Sequence, residues 1–306
     1  MLRVLLRRIV LTIPVVFGVA TIVFALLHVV PGDPVQTMLG DNATPREVAA
    51  LRRTLGLDAP LPVQYRRFLT EALHGRLGTS IRTGQPVTAA IGERVGATVE
   101  LAVAAMTVCL VLALPGGILA AARQGSRTDT TLTTCALVGL SMPAFWVGPV
   151  LAIVGAVWLG WLPVSGRGTW AHLVLPTVTL AAPLAAVVLR MVRASVLDER
   201  GALYVLAARA RGASPTRALL RHAVRNSLIP VTTILALQFG AVLTGAVVTE
   251  TIFAWPGIGR LLVQAIGARD YPVVQGCVLL IAITYVGVNL LADLCYAWLD
   301  PRVRVE

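Results

Sequence analysis

The segment Tyr204–Pro230 reads YVLAARARGASPTRALLRHAVRNSLIP and forms an Arg-rich polar island between two long apolar runs. Residues 203–211 are predicted to form a short helix that ends at Gly212, because glycine commonly terminates helices. Ser214 is predicted to cap a second helix, with Pro215 at its first position. Two short helices separated by a glycine predict a compact, rigid element.

These two helices lie within residues 194–227, which we term the Arg-rich loop, and the second helix is predicted to have one basic and one apolar face. The basic face carries an arginine at every fourth position, namely Arg217, Arg221 and Arg225. The neighbouring apolar face is predicted to consist of Leu220, Val224 and Leu228. These faces favour docking of a partner, but an interfacial helix beside lipid headgroups would have the same pattern.

The composition of the 306-residue chain indicates a membrane protein with several spans. Hydrophobic residues make up 57% of the chain and charged residues only 13%, and the charged residues cluster between apolar runs. All 26 basic residues are arginine. Because a Walker A loop and a Schiff-base enzyme each need a lysine, this sequence excludes both. If ATP drives this protein, another chain binds the ATP.

The net charge of +11 is explained by membrane orientation, because arginine is retained in cytoplasmic loops. No basic surface is interleaved with aromatic residues, so nucleic-acid binding is not predicted. Four cysteines lie in or beside apolar runs without Cys-x-x-Cys spacing, namely Cys109, Cys135, Cys277 and Cys295. They are predicted to be small buried hydrophobic residues, and no metal site is expected.

Six uncharged runs are long enough to cross about 30 Å of hydrocarbon as helices. They are residues 9–30, 101–122, 130–159, 170–189, 227–249 and 271–292. The first follows a basic head, but it exceeds a usual signal-peptide core and lacks a small-residue cleavage site, so we expect it to be retained. Pro143 and Pro149 lie within the third run and predict a kink, a break or a tilted entry.

The distribution of arginine predicts the orientation of these spans. The four segments on the side of the N-terminus hold 15 arginines, whereas the short opposite loops hold Arg167, Arg260 and Arg269. Both termini are therefore predicted to be cytoplasmic. The predicted fold class is an all-α integral membrane protein with six transmembrane helices in the plasma (inner) membrane, surrounded by membrane lipid.

The polar segment after the first run is predicted to hold two short helices. Thr44–Glu47 is a capping box, followed by apolar residues on one helix face and by Gly56 at the end. A second helix is predicted at residues 62–74. The chain is thus expected to comprise an N-terminal head with the first span, an extracytoplasmic segment and a core of five spans, at residues 1–30, 31–97 and 98–306.

Four further motifs accompany the Arg-rich loop. They are Pro-Gly-Asp-Pro (31–34), Ser-Met-Pro-Ala-Phe-Trp (141–146), Glu-Thr-Ile-Phe-Ala-Trp-Pro-Gly (250–257) and Arg-Asp-Tyr-Pro-Val-Val-Gln-Gly (269–276). Their order and spacing over nearly the whole chain resemble the first permease subunit of ABC importers of the dipeptide/oligopeptide/nickel group. The Arg-rich loop resembles the EAA-type coupling loop of these permeases. The loop departs from that pattern at Leu206, which replaces the glutamate, and at Ile229-Pro230, where the closing Leu-Pro is displaced. Outside the loop, Arg76 replaces a residue that is commonly acidic in relatives.

The resemblance implies a type I ABC importer-like permease fold, in which a separate ATPase subunit grips the Arg-rich loop. The implied coupling residues are Leu206, Ala207, Ala208, Arg209, Arg211, Gly212, Ser214, Pro215 and Arg217. The implied partners are a second homologous permease, two ABC ATPase subunits and an extracytoplasmic solute-binding protein. ATP and Mg would bind the ATPase subunits, so no cofactor and no catalytic residue is expected in this chain. Dipeptides or oligopeptides are the expected cargo.

Five residues are candidates for the translocation path or its gate, namely Ser141, Gln238, Thr244, Glu250 and Asn289. Neutral polar groups in spans either line a path or bond between helices, and both roles are open here. Glu250 is expected where an outer loop begins and water reaches it, as a gate, a contact for the binding protein or a loop ion pair. Asp293 lies near the inner end of the sixth run and is a candidate functional residue, because an ionisable group is costly to bury there. We favour the alternative that it faces the inner interface or pairs with an arginine such as Arg193 or Arg302.

Three alternatives differ in cargo or in class. A permease of the same group could carry nickel chelates or other small solutes, and nothing in the predicted path separates these cargoes. An intramembrane enzyme would need paired catalytic groups at depth, but no second acid or histidine accompanies Asp293. A proton-coupled carrier would have internal repeats and buried carboxylates that relay protons, and neither is visible in the sequence.

Overall fold

The computed structural model describes residues 2–29, 35, 44–55 and 57–299, and its regular structure over these residues is entirely helical. The helices are α1 (Leu2–Val29), α2 (Pro45–Leu55), α3 (Leu61–Leu73), α4 (Val87–Ala122), α5 (Arg127–Ser141), α6 (Ala144–Ala152), α7 (Trp170–Arg200), α8 (Leu203–Ala210), α9 (Pro215–Ala218), α10 (Val224–Ile252), α11 (Ile258–Gly267) and α12 (Tyr271–Leu299). Two π-helical segments, Ile153–Trp158 and Leu219–Ala223, continue α6 and α9. The Pro-Gly-Asp-Pro motif, Gly56, Arg302 and Arg304 lie outside the described residues.

Among the described residues, three helices are long and apolar enough to cross a membrane: α4, α7 and the 271–291 part of α12. A fourth candidate is the bent pair formed by α5 and α6 with its π-helical extension, whose halves meet at 102°. The bend follows from Pro143, because the residue before a proline avoids helical geometry. Met142 accordingly has extended dihedral angles of −93° and 117°. The predicted break in the third run is confirmed, whereas the count of six spans stays a prediction.

Two helices extend well beyond the predicted apolar runs. α4 begins at Val87, so its first turns lie within the segment expected to be extracytoplasmic. α7 continues to Arg200 and therefore includes the first seven residues of the Arg-rich loop. When a helix is longer than its apolar run, the ends of the helix extend beyond the hydrocarbon layer. The polar ends of α4 and α7 are consistent with this arrangement.

The chain forms two compact units, which we term the large unit (residues 1–5, 99–255 and 287–306) and the small unit (residues 6–98 and 256–286). In the large unit, α7 is the central helix and contacts α5, α6, α8 and α10. α4 lies close to it at Gly117, where an added Cβ would lie 2.6 Å from the Val192 Cβ and 2.7 Å from the Leu189 carbonyl oxygen. This approach therefore requires glycine.

The small unit has a core of α4, α11 and α12 residues, namely Val87, Ile91, Ile258, Ala265, Val273 and Cys277. The main-chain N–H of Ile258 donates to the Thr98 hydroxyl oxygen at 2.8 Å, which fixes the start of α11 against α4. α3 packs against α1 through aromatic side chains, with the Phe24 ring centre 5.2 Å from that of Tyr65. Of these helices, α11 was not predicted.

The two predicted short helices are confirmed as α2 and α3. The capping box at the start of α2 is present, because the Thr44 N–H donates to Glu47 Oε2 at 2.8 Å and the Glu47 N–H donates to Thr44 Oγ1 at 3.4 Å. The hydrogen bond from the Thr44 N–H, with that from its hydroxyl, lowers the pKa of the Glu47 carboxyl. A charged Glu47 thus stabilises this helix end.

Candidate functional site

The Arg-rich loop contains two helices that meet at a glycine turn. α8 begins three residues after α7 ends, and Gly212 follows it with φ of +94°, a left-handed conformation that favours glycine. The Ser214 hydroxyl oxygen then accepts a hydrogen bond from the Arg217 N–H at 3.3 Å and caps α9. The predicted first helix, turn and cap are therefore confirmed.

A small core holds the two arms of the loop together. Val205 of α8 packs against Ala218 and Ala223, and each of these residues is at most 1% exposed. The short alanine side chains allow α8 to lie close to the second arm. This packing makes the loop a folded element of its own and supports the prediction of a compact, rigid structure.

The second arm differs from its prediction, because it is not a short helix. α9 continues through the π-helical segment Leu219–Ala223 directly into α10. Its buried residues are Ala218, Ala223, Ser227 and Val231, spaced five, four and four apart. The π turn adds one residue to the first interval and shifts the buried face.

This shift corrects the predicted apolar face at Leu220, Val224 and Leu228. Leu220 is 55% exposed, and the other two residues are only partly buried. Arg217, Arg221 and Arg225 are all exposed, as predicted, but one π turn interrupts the α-helical spacing that was expected to align them. The loop therefore presents both leucine and arginine to its surroundings.

Eight of the nine predicted coupling residues are exposed, and only Ala208 is buried. The outer side of α8 is also apolar, since Leu203, Leu206, Ala207 and Ala210 are exposed and share one helix face by their spacing. Leu203 is 84% exposed. Leu203 and Ala210 were not among the predicted coupling residues, although the sequence shows their i, i+3, i+4, i+7 spacing with Leu206 and Ala207.

A hydrogen bond joins the loop to the helix that leads into it. The Tyr204 hydroxyl donates to a carboxylate oxygen of Glu199 in the last turn of α7. Partial burial, followed by the hydrogen bond to Glu199, raises the pKa of Tyr204. Tyr204 therefore stays protonated, keeps its donor, and fixes the direction in which α8 leaves α7.

Three of the predicted path residues lie on one helix, but their spacing does not place them on one face. Gln238, Thr244 and Glu250 follow at six-residue intervals on α10, so successive residues are rotated by roughly 240° about the helix axis. Gln238 and Asn289 are half-buried, and the side chain of Thr244 lies outside the described part. Ser141 is exposed and donates its hydroxyl to the Leu137 carbonyl at 2.9 Å. Their role in a path stays a prediction.

The expected position of Glu250 is wrong. Its side chain is completely buried, because α10 continues to Ile252 and places Glu250 in the last helical turn instead of an outer loop. Its carbonyl oxygen accepts a hydrogen bond from the Trp255 N–H at 2.9 Å, which closes the chain over this turn. The Glu250 carboxyl is therefore shielded from water, contrary to the expectation from the sequence.

Three acidic residues that were not predicted as site residues make defined contacts. Glu100 accepts from Arg167, Asp129 accepts from Arg193, and Asp270 accepts from residues 80–82. The contact of Asp129 also changes the expectation for Arg193, which was a proposed partner of Asp293. The side chain of Asp293 lies outside the described part.

Over the residues that the structure describes, no group of three His, Cys, Asp or Glu side chains could hold a metal ion. Cys109 and Cys277 are buried, as predicted, and Cys135 is exposed, so its predicted burial is wrong. α5 buries the adjacent Ala136, and a neighbouring residue points about 100° away around the helix. The side chain of Cys295 lies outside the described part.

Comparison with known families connects this arrangement with a transport class. The model described as "Binding-protein-dependent transport system inner membrane component" matches residues 113–305, and the model of the N-terminal part of such components matches residues 1–102. This chain belongs to that family. The match includes the whole Arg-rich loop, and the resemblance stated from the sequence motifs is confirmed.

Curated relatives cover the chain from end to end. The dipeptide transport system permease protein of Escherichia coli strain K12 is 40% identical over 99% of both chains. The glutathione transport system permease protein of Pectobacterium atrosepticum is 42% identical over 100% of both chains. The protein is therefore a multi-pass membrane permease component of a transport system.

Solved structures support the same fold. A chain of the inward-facing MetNI methionine ABC transporter matches with a TM-score of 0.58 and 18% identity, over 69% of this chain and 96% of that chain. A chain from the crystal structure of an amino acid ABC transporter with histidines matches with a TM-score of 0.51 and 17% identity, over 70% and 94%. At such identities the match concerns the fold alone.

Proposed function

We propose that this chain is one of two permease subunits of an ATP-driven importer of short peptides, and that an ATPase subunit docks on the Arg-rich loop. The observation that carries the docking proposal is the apolar outer face of α8, on the side opposite the buried Val205 and Ala208. A helix that packs one face into a core normally exposes polar residues on the other. An exposed apolar face on such an element is typical of a binding surface.

In this proposal the ATPase subunits bind ATP and Mg, and their closure moves the Arg-rich loop. A second homologous permease provides the other half of the path, and an extracytoplasmic binding protein delivers the cargo. The family description, a component of a binding-protein-dependent transport system, supports these partners. Gly212 matters because its left-handed backbone lets the two arms of the loop turn within three residues.

We further propose six spans with both termini and the Arg-rich loop in the cytoplasm, as arginine distribution predicts. The test is labelling of single cysteines in a background without native cysteine. Cysteine at Ala210 should react with a membrane-impermeant maleimide only in inverted vesicles, whereas cysteine at Ser165 should react in intact cells. The reverse pattern would contradict the orientation.

Short peptides are the proposed cargo, because relatives that cover the whole chain are named dipeptide and glutathione permeases. Glutathione is a tripeptide, so both cargoes belong to one chemical class. Uptake of radiolabelled dialanine and of radiolabelled glutathione by cells with and without this chain separates them. Unchanged uptake of both peptides with lost nickel accumulation would instead assign the nickel-chelate alternative.

The docking proposal is tested with Gly212→Arg in the complete importer reconstituted into vesicles. We expect the variant to remain in the membrane and to lose ATP-driven peptide uptake, because the larger side chain strains the turn and obstructs the docking surface. Gln124→Arg is the matched control, since it adds the same charge at an exposed site between α4 and α5. Full uptake by Gly212→Arg would contradict docking at this loop.

A further inference from the structure

A bidentate ion pair joins the turn between α4 and α5 to the C-terminal end of α7. Arg193 donates through Nε to Asp129 Oδ1 at 2.7 Å and through Nη2 to Asp129 Oδ2 at 2.9 Å. The side chain of Asp129 is 7% exposed and that of Arg193 is 28% exposed. Two parallel charge-assisted hydrogen bonds fix the relative orientation of both side chains, which a single contact would not do.

Asp129 also organises the turn from which it comes. Its Oδ2 accepts a hydrogen bond from the Gly125 N–H at 3.0 Å, and its own N–H donates to the Ser126 hydroxyl oxygen at 3.3 Å. Gly125 has φ of +76°, so the turn is of a kind that favours glycine. One carboxylate thereby joins the α4–α5 turn, the first turn of α5 and α7.

Two further contacts between α4 and α7 lie on either side of this pair. One turn before Arg193, Gly117 lets the backbone of α4 approach Leu189 and Val192. Two turns after it, Arg200 Nη1 donates to the Ala121 carbonyl oxygen at 3.3 Å. The contacts thus extend along the last three turns of α7, which include the first residues of the Arg-rich loop.

From this arrangement we infer that Asp129 and Arg193 are positioning residues for energy coupling. They join the α4–α5 turn and the inner end of α7 into one strut, which carries the Arg-rich loop. The inference rests on the proposed function, because it takes the ATPase to act on that loop. Motion of α8 reaches α7 through Gly201 and Ala202, and the ion pair passes it to α5, the first half of the bent span.

The ion pair holds the first turn of α5 to α7, in addition to the packing between the two helices. Without it, the C-terminal end of α7 moves with the Arg-rich loop while the first turn of α5 lags behind, and more ATP is hydrolysed for each movement of the spans. Asp129→Asn removes the charge at nearly constant volume and leaves Arg193 without its carboxylate. Arg193→Lys keeps the charge but removes the two-point contact, because an ammonium group lacks the planar fork of a guanidinium.

The test measures ATP hydrolysis and peptide uptake on the same complete importer in vesicles. The probe is radiolabelled dialanine, or radiolabelled glutathione where the unmodified importer accumulates only that peptide. We expect Asp129→Asn to assemble and hydrolyse ATP, with uptake per ATP reduced at least about fivefold, the lower end of typical coupling between sites. The peptide concentration at half-maximal uptake should not change, because the binding protein selects the cargo.

Asp58→Asn is the control, since Asp58 is an exposed carboxyl that lies outside both the strut and the Arg-rich loop. It should keep the original ratio of uptake to ATP hydrolysis, and the exchange Asp129→Arg with Arg193→Asp should recover part of that ratio. An unchanged ratio in Asp129→Asn would overturn the inference. If that variant does not accumulate, Arg193→Lys replaces it, and an unchanged ratio in Arg193→Lys has the same consequence.

Gly212→Arg separates this inference from the proposed function on which it rests. Loss of uptake in Gly212→Arg together with an unchanged ratio in Asp129→Asn would leave docking intact and refute the strut alone. Full uptake in Gly212→Arg would refute docking itself. The two failures are therefore distinguishable in one set of vesicles.

Discussion

The guanidinium group of Arg167 lies 5.7 Å from the centre of the Trp255 ring, within the range of a cation–π contact. The same group donates through Nε to a Glu100 carboxylate oxygen at 2.9 Å. Next to it, the Gly166 N–H donates to the Phe253 carbonyl oxygen at 2.9 Å. The segment before α7 is thereby joined to the chain after α10 and to α4, all within the large unit.

Replacing Trp255 should destabilise the protein far more than breaking the ion pair beside it. Trp255 is 1% exposed, so Trp255→Ala should lower the free energy of unfolding by about 3–5 kcal/mol. Glu100 and Arg167 are 40% and 43% exposed, so Glu100→Gln should cost about 1 kcal/mol or less. Thermal unfolding of the detergent-purified protein measures both.

Trp158→Ala is the control for this comparison, since Trp158 is 75% exposed and its removal leaves no internal cavity. It should shift the melting midpoint less than Trp255→Ala does. Equal shifts for the two tryptophans would contradict the description of Trp255 as a buried core residue. A larger shift for Glu100→Gln than for Trp255→Ala would contradict the description of the ion pair as exposed.

Properties that depend on local sequence were predicted well. Proline placement predicted the break at Pro143, the Ser214 cap predicted the start of α9, and Thr44 with Glu47 predicted the start of α2. Each of these features is decided within about one helical turn of sequence. α11 was missed although Ile258, Leu262 and Ala265 recur at helical spacing, because its ten residues were read as part of a loop.

Properties that depend on distant contacts were not predictable in this way. The π turn at 219–223 places Ala218 and Ala223 against Val205, which comes from the other arm of the loop. Glu250 is buried because α10 continues three residues past the predicted run. Asp129 and Arg193 are 64 residues apart, and no local pattern relates them. Tertiary packing decided all three cases.

Adding one methyl group at Gly117 should disturb the packing of α4 on α7. The added Cβ would lie 2.7 Å from the Leu189 carbonyl oxygen, and a backbone atom cannot move aside as a flexible side chain can. Gly117→Ala should therefore cost about 1–3 kcal/mol, as overpacking typically does. Lowered melting midpoints of the purified protein would show this cost.

Gly96→Ala is the matched control on the same helix, because a Cβ there meets nothing within 4 Å. Alanine is favoured over glycine inside a helix, so this variant should melt at the original temperature or slightly above it. If Gly96→Ala and Gly117→Ala melted alike, the close approach of α4 and α7 would not limit stability.

The start of α2 should weaken as the pH falls, because its cap depends on a charged Glu47. The pKa of Glu47 is lowered in the folded protein by hydrogen bonds from Thr44, so the folded state binds the proton less readily than the unfolded state. The stabilisation is fully present above the ordinary carboxyl value of 4.5 and is lost as the pH falls through the lower folded value.

Hydrogen exchange of the α2 amides, followed by mass spectrometry and corrected for the intrinsic pH dependence, measures this loss. Protection should be constant from neutral pH down to the lowered pKa of Glu47 in the folded protein and should then decrease. In Glu47→Gln, which keeps an acceptor without a titrating group, protection should not change over the same range. A decrease of equal size in both proteins would assign the effect to another group.

Asp270 should hold residues 80–82 in place, and its loss should open this loop to protease. The carboxylate is 4% exposed and accepts hydrogen bonds from the Ile81 N–H at 3.1 Å, from the Arg82 N–H at 3.3 Å and from the Ser80 hydroxyl. Asp270→Ala leaves these donors without their acceptor, at about 1.5–3 kcal/mol for each hydrogen bond to a charged group. Because Arg82 is exposed, trypsin reports opening of the loop directly.

Cleavage after Arg82 in Asp270→Ala should accordingly be faster than in the unmodified protein at equal trypsin concentration. Asp270→Asn should fall between them, since an amide oxygen still accepts from one N–H while the charge is gone. Asp58→Ala removes an exposed carboxyl from the link between α2 and α3 and should leave cleavage after Arg82 unchanged. If Asp270→Ala resisted trypsin as well as Asp58→Ala, the loop would be held by its own hydrogen bond from the Ser80 N–H to the Gln85 carbonyl and not by the carboxylate.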